Sequence, residues 1–298
     1  MRGCGIAYAR AVSRAWRRFL RHRGAVVGAI LVLALIAMAL LAPALTHRDP
    51  LAADVDHGLT ALGAPLPVSS AAPLGTDALG RDEWARIAAG AAASLSIAGL
   101  ATLIALAIGL TVGLIAGYAG GAIDRALMRL VDLVLAFPFV LVAILLAALL
   151  ASSSLASARA PVYLTLGVLG WMPMARMIRG KTAGLMHSEM IIAARALGAS
   201  PRRIVVRHLL PNVAGLAIVV AAFGFAQNLL AESVLSYVGL GPPPPAASWG
   251  RMLYEGKAYY RIAPHLMAAP GLAILAAVAG FHLLGEGLRD ALDPRDAR

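Results

Sequence analysis

The chain is short of charge, aromatics and cysteine: 14% of its 298 residues are charged, 6% are aromatic, and Cys4 is its one cysteine. A lone thiol excludes an intramolecular disulfide and cannot by itself form a thiolate metal cage. No H-e-x-x-H pattern is present, so a zinc-hydrolase site is not indicated. Gly180-Lys181-Thr182 resembles the end of a phosphate-binding loop, but Ala175 stands where that loop requires its first glycine and no strand precedes it. Ser94 and Ser96 have no histidine in their own apolar run to act as a base, which argues against serine chemistry. Neither a catalytic residue nor a metal ligand is assigned, and the chain is read as a non-enzyme.

What is abundant is apolar. Hydrophobic residues make up 60% of the chain and mean hydropathy is +0.79, against roughly 45–50% apolar for an ordinary soluble domain. Cores that small cannot hide the surplus, which must face lipid. A bilayer core about 30 Å thick takes roughly 20 apolar residues as a helix. Six such runs are predicted: Gly24 to Ala42, about Ala91 to Tyr118, about Leu130 to Ala151, Pro161 to Ile178, Val213 to about Tyr237, and about Leu266 to Leu284. The first is longer than the roughly 7–15 residues of a secretory h-region, so it is expected to be retained rather than cleaved. The fold class is therefore all-α, polytopic, with six transmembrane helices.

Positive charge then sets orientation. The net charge is +11, and 24 of the 26 basic residues are arginine. With the amino terminus inside, nineteen of the 26 fall in inner segments, and basic residues concentrate in cytoplasmic loops. Both termini are predicted cytoplasmic, and nucleic acid is not expected as a partner. The expected organisation is a basic cytoplasmic segment (1–23), a first transmembrane helix (24–45), an extracytoplasmic loop (46–90), a five-helix core (91–287) interrupted by an inner loop (179–212), and a cytoplasmic tail (288–298).

That inner loop is the most informative segment. Glu189 to Leu197 contains helix formers and no breaker, and Gly198 follows as a left-handed helix stop. Ser200 supplies an N-cap oxygen and Pro201 takes the first helical position. Arg202 to Leu210 reads as a second helix, ended by Pro211. The small pair Ala193-Ala194 suits close packing into a protein groove better than it suits lipid, although an interfacial amphipathic helix is the plainer alternative.

Inside the apolar runs a few residues stand out. Gly109, Gly113, Gly117 and Gly121 recur every four residues, a stripe that permits close helix approach where lipid gives no hydrophobic drive. Packing within the subunit is the plain reading; an inter-subunit seam is the other. Asn228 and Glu232 share a helix face, and an intramembrane carboxyl usually faces a cavity or a partner. A pathway or gate role and a buried structural hydrogen bond are both open. Asp132 follows Arg129 by three residues, predicting a local ion pair, and Pro138 marks a kink. Trp249, Tyr254, Tyr259 and Tyr260 read as an interfacial aromatic belt. Ionisable residues near the midplane, which a secondary transporter needs for ion coupling, are scarce.

Ala193-Ala194-Arg195-Ala196-Leu197-Gly198, nine residues, then His208-Leu209-Leu210-Pro211 resembles the EAA loop of bacterial ATP-binding-cassette (ABC) importer permeases. Ile192 stands where that pattern has its glutamate and His208 where it has isoleucine. Further strings match in order. Leu74-Gly75-Thr76-Asp77 through Gly80-Arg81-Asp82 is similar to the LGTDxxGRD string of the second permease subunit of dipeptide and oligopeptide importers. Asp124 to Asp132 with Phe137-Pro138, Gly170 to Arg176, Leu235 to Gly241, Ser248-Trp249-Gly250 and Gly287 to Pro294 also fit that family. The resemblance implies a type I ABC importer permease fold in a bacterial inner membrane. The partners it implies are a homologous second permease, two ATPase subunits and an extracytoplasmic substrate-binding protein. It implies no cofactor on this chain, with ATP and Mg on the ATPase subunits. Glu189, Ala193, Ala194, Arg195, Gly198, Ser200, Pro201, Arg202 and Pro211 would form the ATPase-coupling loop. Di- or oligopeptides are the implied substrates, with nickel complexes, glutathione or other small solutes as alternatives.

Overall fold

A computed structural model describes residues 16–46, 48–70, 72–151, 160–243 and 246–292. Much of the basic amino-terminal segment and the end of the tail lie outside them. Helix α1 spans Arg23–Thr46. A loop follows in which Leu59 bridges to Pro65 and Thr76 to Asp82. The Thr76 hydroxyl donates to the Gly58 carbonyl (2.6 Å) and accepts from the Leu66 N–H (2.8 Å), which folds the loop on itself.

Asp82 then caps helix α2 (Glu83–Ala119), its carboxylate accepting the Ala85 N–H at 2.8 Å. Helix α2 has 37 residues, which at 1.5 Å per residue exceeds the thickness of a bilayer core. The run expected from about Leu130 to Ala151 is not one helix. It is α3 (Gly121–Leu135) and α4 (Phe139–Ala151), bent by 89° across Ala136-Phe137-Pro138. Proline lacks the N–H for the ladder and disfavours helical backbone in the residue before it. The polar residues Asp124, Arg125, Arg129 and Asp132 already confine α3 to a surface, so the chain turns there before entering the apolar α4.

Helix α5 spans Ala160–Leu185, with Pro173 inside. A helical run from Pro201 to Tyr237 follows and matches α2 in length; its regular part is α8, defined below. Among the described residues four helices are long and apolar enough to cross a membrane, or five if the bent pair counts as one span. The expectation of six is therefore not met by length and composition among the described residues. Helix α5 falls short because Tyr163, Thr165, Trp171, Pro173 and Arg176 dilute its apolar stretch.

The inner elbow comprises α6 (Glu189–Ala196), α7 (Pro201–Ile204) and a π-helical turn at Val205–Leu209, leading into α8 (Leu210–Tyr237). Pro211 was expected to end the second elbow helix; instead the helix passes through it. The Leu210 N–H bonds the Val205 carbonyl, five residues back, so the ladder widens just where the proline has no N–H to offer. The Asn212 side-chain amide donates to the His208 carbonyl at 2.7 Å, a further bond inside the widened turn. After an outer segment come α9 (Trp249–Gly256), a 3₁₀ turn at Lys257–Tyr259, and α10 (His265–Leu292). Helix α10 continues through Leu292, so the first residues of the expected tail are helical.

Helices α2 and α5 form the most extensive pairing, and α10 packs against α1 and α8. The α2–α5 contact follows the glycine stripe. A Cβ on Gly109 would stand 2.8 Å from Met174 Cβ, and one on Gly117 2.6 Å from Thr182 Cβ. Gly121 is not part of it: it opens α3 at φ 54° with nothing within 4 Å.

Candidate functional site

The elbow is built by local chemistry. Helix α6 ends in a paired-bond stop in which the Gly198 N–H reaches the Arg195 carbonyl (2.9 Å) and the Ala199 N–H reaches the Ala194 carbonyl (3.0 Å). Gly198 sits at φ 76°, where a side chain costs about 1–2 kcal/mol. The Ser200 hydroxyl accepts the Arg203 N–H at 3.4 Å, with Pro201 in the first helical turn. One face of the elbow is anchored: Ile191, Ile204, Leu209 and Val213 are buried together with Leu114 of α2 and Ile178 of α5. The other face is bare. Leu197 is 88% exposed, and Ile192, Val206, Ala193, Glu189, Arg195, Arg202 and Pro211 are exposed with it. The Ala pair is thus split, with Ala194 inward and Ala193 outward.

Two ion pairs brace α3 against α5 beside this elbow. Arg179 grips Asp124 with both Nε and Nη2, the former at 2.8 Å. Asp132 pairs with Arg176, not with Arg129 as its spacing suggested; α5 crosses near enough to outcompete the neighbour on its own helix.

The proposed pathway pair separates. Asn228 donates to the Thr102 hydroxyl at 3.0 Å and lines an apolar cavity of about 630 Å³ between α4, α5 and α8. Glu232 does not line it. Its carboxyl is fully buried, accepting from Ser236 (2.7 Å) and Ser94 (3.4 Å), while the Ser94 hydroxyl accepts the Trp249 N–H at 3.0 Å. Glu232 therefore ties α8 and α2 to the start of α9. Ser94, Thr102 and Trp249 were not assigned these roles from sequence; Ser94 and Glu232 are 138 residues apart, and nothing local pairs them. Trp249 also corrects the aromatic belt. Its ring is fully buried against Gly90, with the indole N–H on the Ile87 carbonyl at 3.0 Å. Tyr254 instead faces the Lys257 ammonium, 4.0 Å from the ring centre. Among the described residues no group of histidine, cysteine and carboxylate side chains has the makings of a metal site.

A family model described as "Binding-protein-dependent transport system inner membrane component" matches residues 109–297, and one described as "N-terminal TM domain of oligopeptide transport permease C" matches residues 12–65. The oligopeptide transport system permease protein OppC of Escherichia coli K12 is 36% identical over 280 residues, covering 94% of this chain and 90% of that protein. A putative peptide transport system permease of Brucella abortus is 37% identical over the same shares, and the glutathione transport system permease GsiD of Shigella flexneri is 38% identical over 94% and 89%. Among solved structures, an inward-facing MetNI methionine ABC transporter aligns with a TM-score of 0.55 at 20% identity, covering 67% of this chain and 93% of that one.

Proposed function

From the premise that the chain belongs to the binding-protein-dependent inner membrane permease family, we propose that it forms half of the translocation pathway for di- or oligopeptides, moved by ATPase subunits that hold its inner elbow. It is a transport subunit of an ABC importer and not itself a catalyst. Its partners in this reading are a homologous second permease, two ATPase subunits carrying ATP and Mg, and an extracytoplasmic protein that delivers the substrate. In this reading α5 completes six spans, shielded from lipid by α2, and both termini are cytoplasmic. The outer loop and α9 then face the delivering protein.

The elbow's two-sidedness carries the reading. Its inward face is fastened to α2, α5 and α8, while its outward face presents Leu197, Ile192 and a fringe of arginines that nothing among the described residues covers. A rigid lever with one free apolar face transmits motion only if something else grips that face. Inverting a two-state equilibrium from 1:99 to 99:1 takes about 5.5 kcal/mol of differential binding, which nucleotide binding to the partners supplies. Replacing Gly198 by valine tests this: φ 76° is strained for a β-branched residue, while no neighbouring atom lies within 4 Å of the new Cβ. The expected result is normal membrane insertion with loss of substrate-stimulated ATP hydrolysis by the assembled complex. Stimulation at the unaltered level overturns the coupling role.

A second substrate reading is favoured by one observation, the 38% identity to a glutathione permease. Ligand identification on the cognate binding protein separates the two: a bound tripeptide thiol favours glutathione, a mixture of short peptides favours the general peptide importer.

A further inference from the structure

Just before α1, residues 16–21 form a short helical stretch that the transport role above does not use. It does not hang in water. Phe19 is buried against Ala25, in the first turn of α1, and against Ala291, near the end of α10. His22 fastens the junction: its Nδ1 accepts the Ala25 N–H at 3.0 Å, and its Nε2 faces an Asp290 carboxylate oxygen at 3.3 Å. The stretch is therefore held level with the ends of two helices long and apolar enough to cross a membrane, where acyl chains give way to headgroups.

What it presents there is of two kinds. Trp16 is 61% exposed and Leu20 53%, and the indole is stacked on Phe19 with ring centres 5.8 Å apart and planes within 8°. Beside them Arg17, Arg21 and Arg23 are exposed and make no ion pair among the described residues; the nearby Asp290 is turned to His22. Arg17 and Arg21 are four apart in the helical stretch, a spacing at which like charges repel. Orienting a span requires only the charge. It calls neither for an indole and a leucine beside that charge nor for a phenylalanine clamp that keeps the arginines at membrane level. Water suits the guanidinium groups and not Trp16 or Leu20, and acyl chains suit the reverse. The headgroup layer satisfies both, because tryptophan settles at that depth and a guanidinium binds phosphate oxygens in a two-pronged fashion.

We propose that this stretch is a binding site for an anionic phospholipid, its phosphate gripped by Arg17, Arg21 and Arg23 while Trp16 and Leu20 sit among the upper acyl carbons. A zwitterionic headgroup brings its own ammonium and satisfies three unpaired arginines less well. The site goes beyond the transport role and needs only that α1 cross the bilayer; in the orientation proposed above it draws its lipid from the inner leaflet. A lipid held there bears on the junction of α1 with α10, since Phe19 and His22 contact both helices.

The test uses the full complex in nanodiscs containing brominated phosphatidylglycerol or, at equal mole fraction, brominated phosphatidylcholine. Bromine quenches nearby indoles, and subtracting the signal of a Trp16→Phe complex isolates Trp16. Trp16 is expected to be quenched by both lipids, with a preference for phosphatidylglycerol of at least about fivefold in local enrichment, the contribution of one arginine at an anionic surface. Arg17→Gln combined with Arg21→Gln is expected to bring the preference close to parity while the ATPase subunits still co-purify. If that variant fails to insert, the unaltered complex in about 0.5 M sodium chloride, where charges are screened within about 4 Å, carries the test, and the preference is expected to fall in the same way. Equal quenching by the two lipids in the unaltered complex, or quenching by neither, overturns the proposal. A preference that survives both the double substitution and the salt overturns it too. A preference present in the isolated subunit but lost in the complex shows that a protein partner covers the stretch, and overturns the lipid as its occupant.

Discussion

Gly113 and Ile178 are in direct opposition: a Cβ on the glycine would lie 2.8 Å from the isoleucine's own Cβ and 2.7 Å from the Ala175 carbonyl oxygen. Helices α2 and α5 are therefore as close here as two backbones with one side chain between them allow. This contact fixes where α5 stands, and with it the ion pairs to α3 and the anchor of the elbow.

Enlarging Gly113 to leucine is accordingly expected to cost about 1–3 kcal/mol, the usual range for overpacking, read as a lower unfolding temperature of the purified subunit. Gly184, near the end of α5, meets nothing within 4 Å. Gly184→Ala is expected to be neutral or to gain up to about 1 kcal/mol from helix propensity. Equal effects at the two positions would contradict the packing described.

Glu232 accepts two hydroxyl donors in a fully buried setting. Glu232→Gln keeps an oxygen for Ser236 and is expected to retain most of the stability. Glu232→Leu leaves the Ser94 and Ser236 hydroxyls short of a partner and is expected to lose about 1–3 kcal/mol, measured by thermal unfolding in detergent. A leucine variant as stable as the parent would remove the structural role assigned here.

Asp124 and Arg179 form a two-pronged pair across 55 residues of sequence. The arginine is partly open to solvent, so a double-mutant cycle with alanine at each position is expected to return a coupling of about 1 kcal/mol or less. Restoring charge in reverse, with Asp124→Arg and Arg179→Asp together, is expected to recover part of the loss of either change alone, judged by resistance of the α3–α5 junction to proteolysis.

Leu197 touches little of its own chain at 88% exposure. Leu197→Asp is expected to alter the stability of the subunit by no more than about 0.5 kcal/mol while reducing recovery of the ATPase subunits in pull-down. Unchanged recovery would separate the elbow's bare face from the partner proposed to cover it.

The elbow was readable because its signals are local. A serine cap, a proline in the first helical turn and a glycine stop act within a few residues, and the structure places helix starts and stop at Glu189, Gly198 and Pro201. Pro211 was misread for a related reason: a proline looks like a terminator until the ladder around it is seen to widen. The break at Pro138 was visible as a kink, but its size was not, since 89° depends on where α3 finds a surface and α4 finds apolar surroundings.

Composition and local pattern determined, without coordinates, that the chain lives in a bilayer, which of its segments are apolar, and where its helical elbow lies in the sequence, because transfer energy and capping are properties of short stretches. Tertiary structure alone decided that Asp132 meets Arg176 rather than Arg129, that Trp249 is core rather than belt, and that Asn228 and Glu232 serve different surroundings. Those outcomes turn on which helix lies next to which. Backbone approach at glycines such as Gly113 sets that arrangement, and hydrogen-bond partners more than a hundred residues away then complete it.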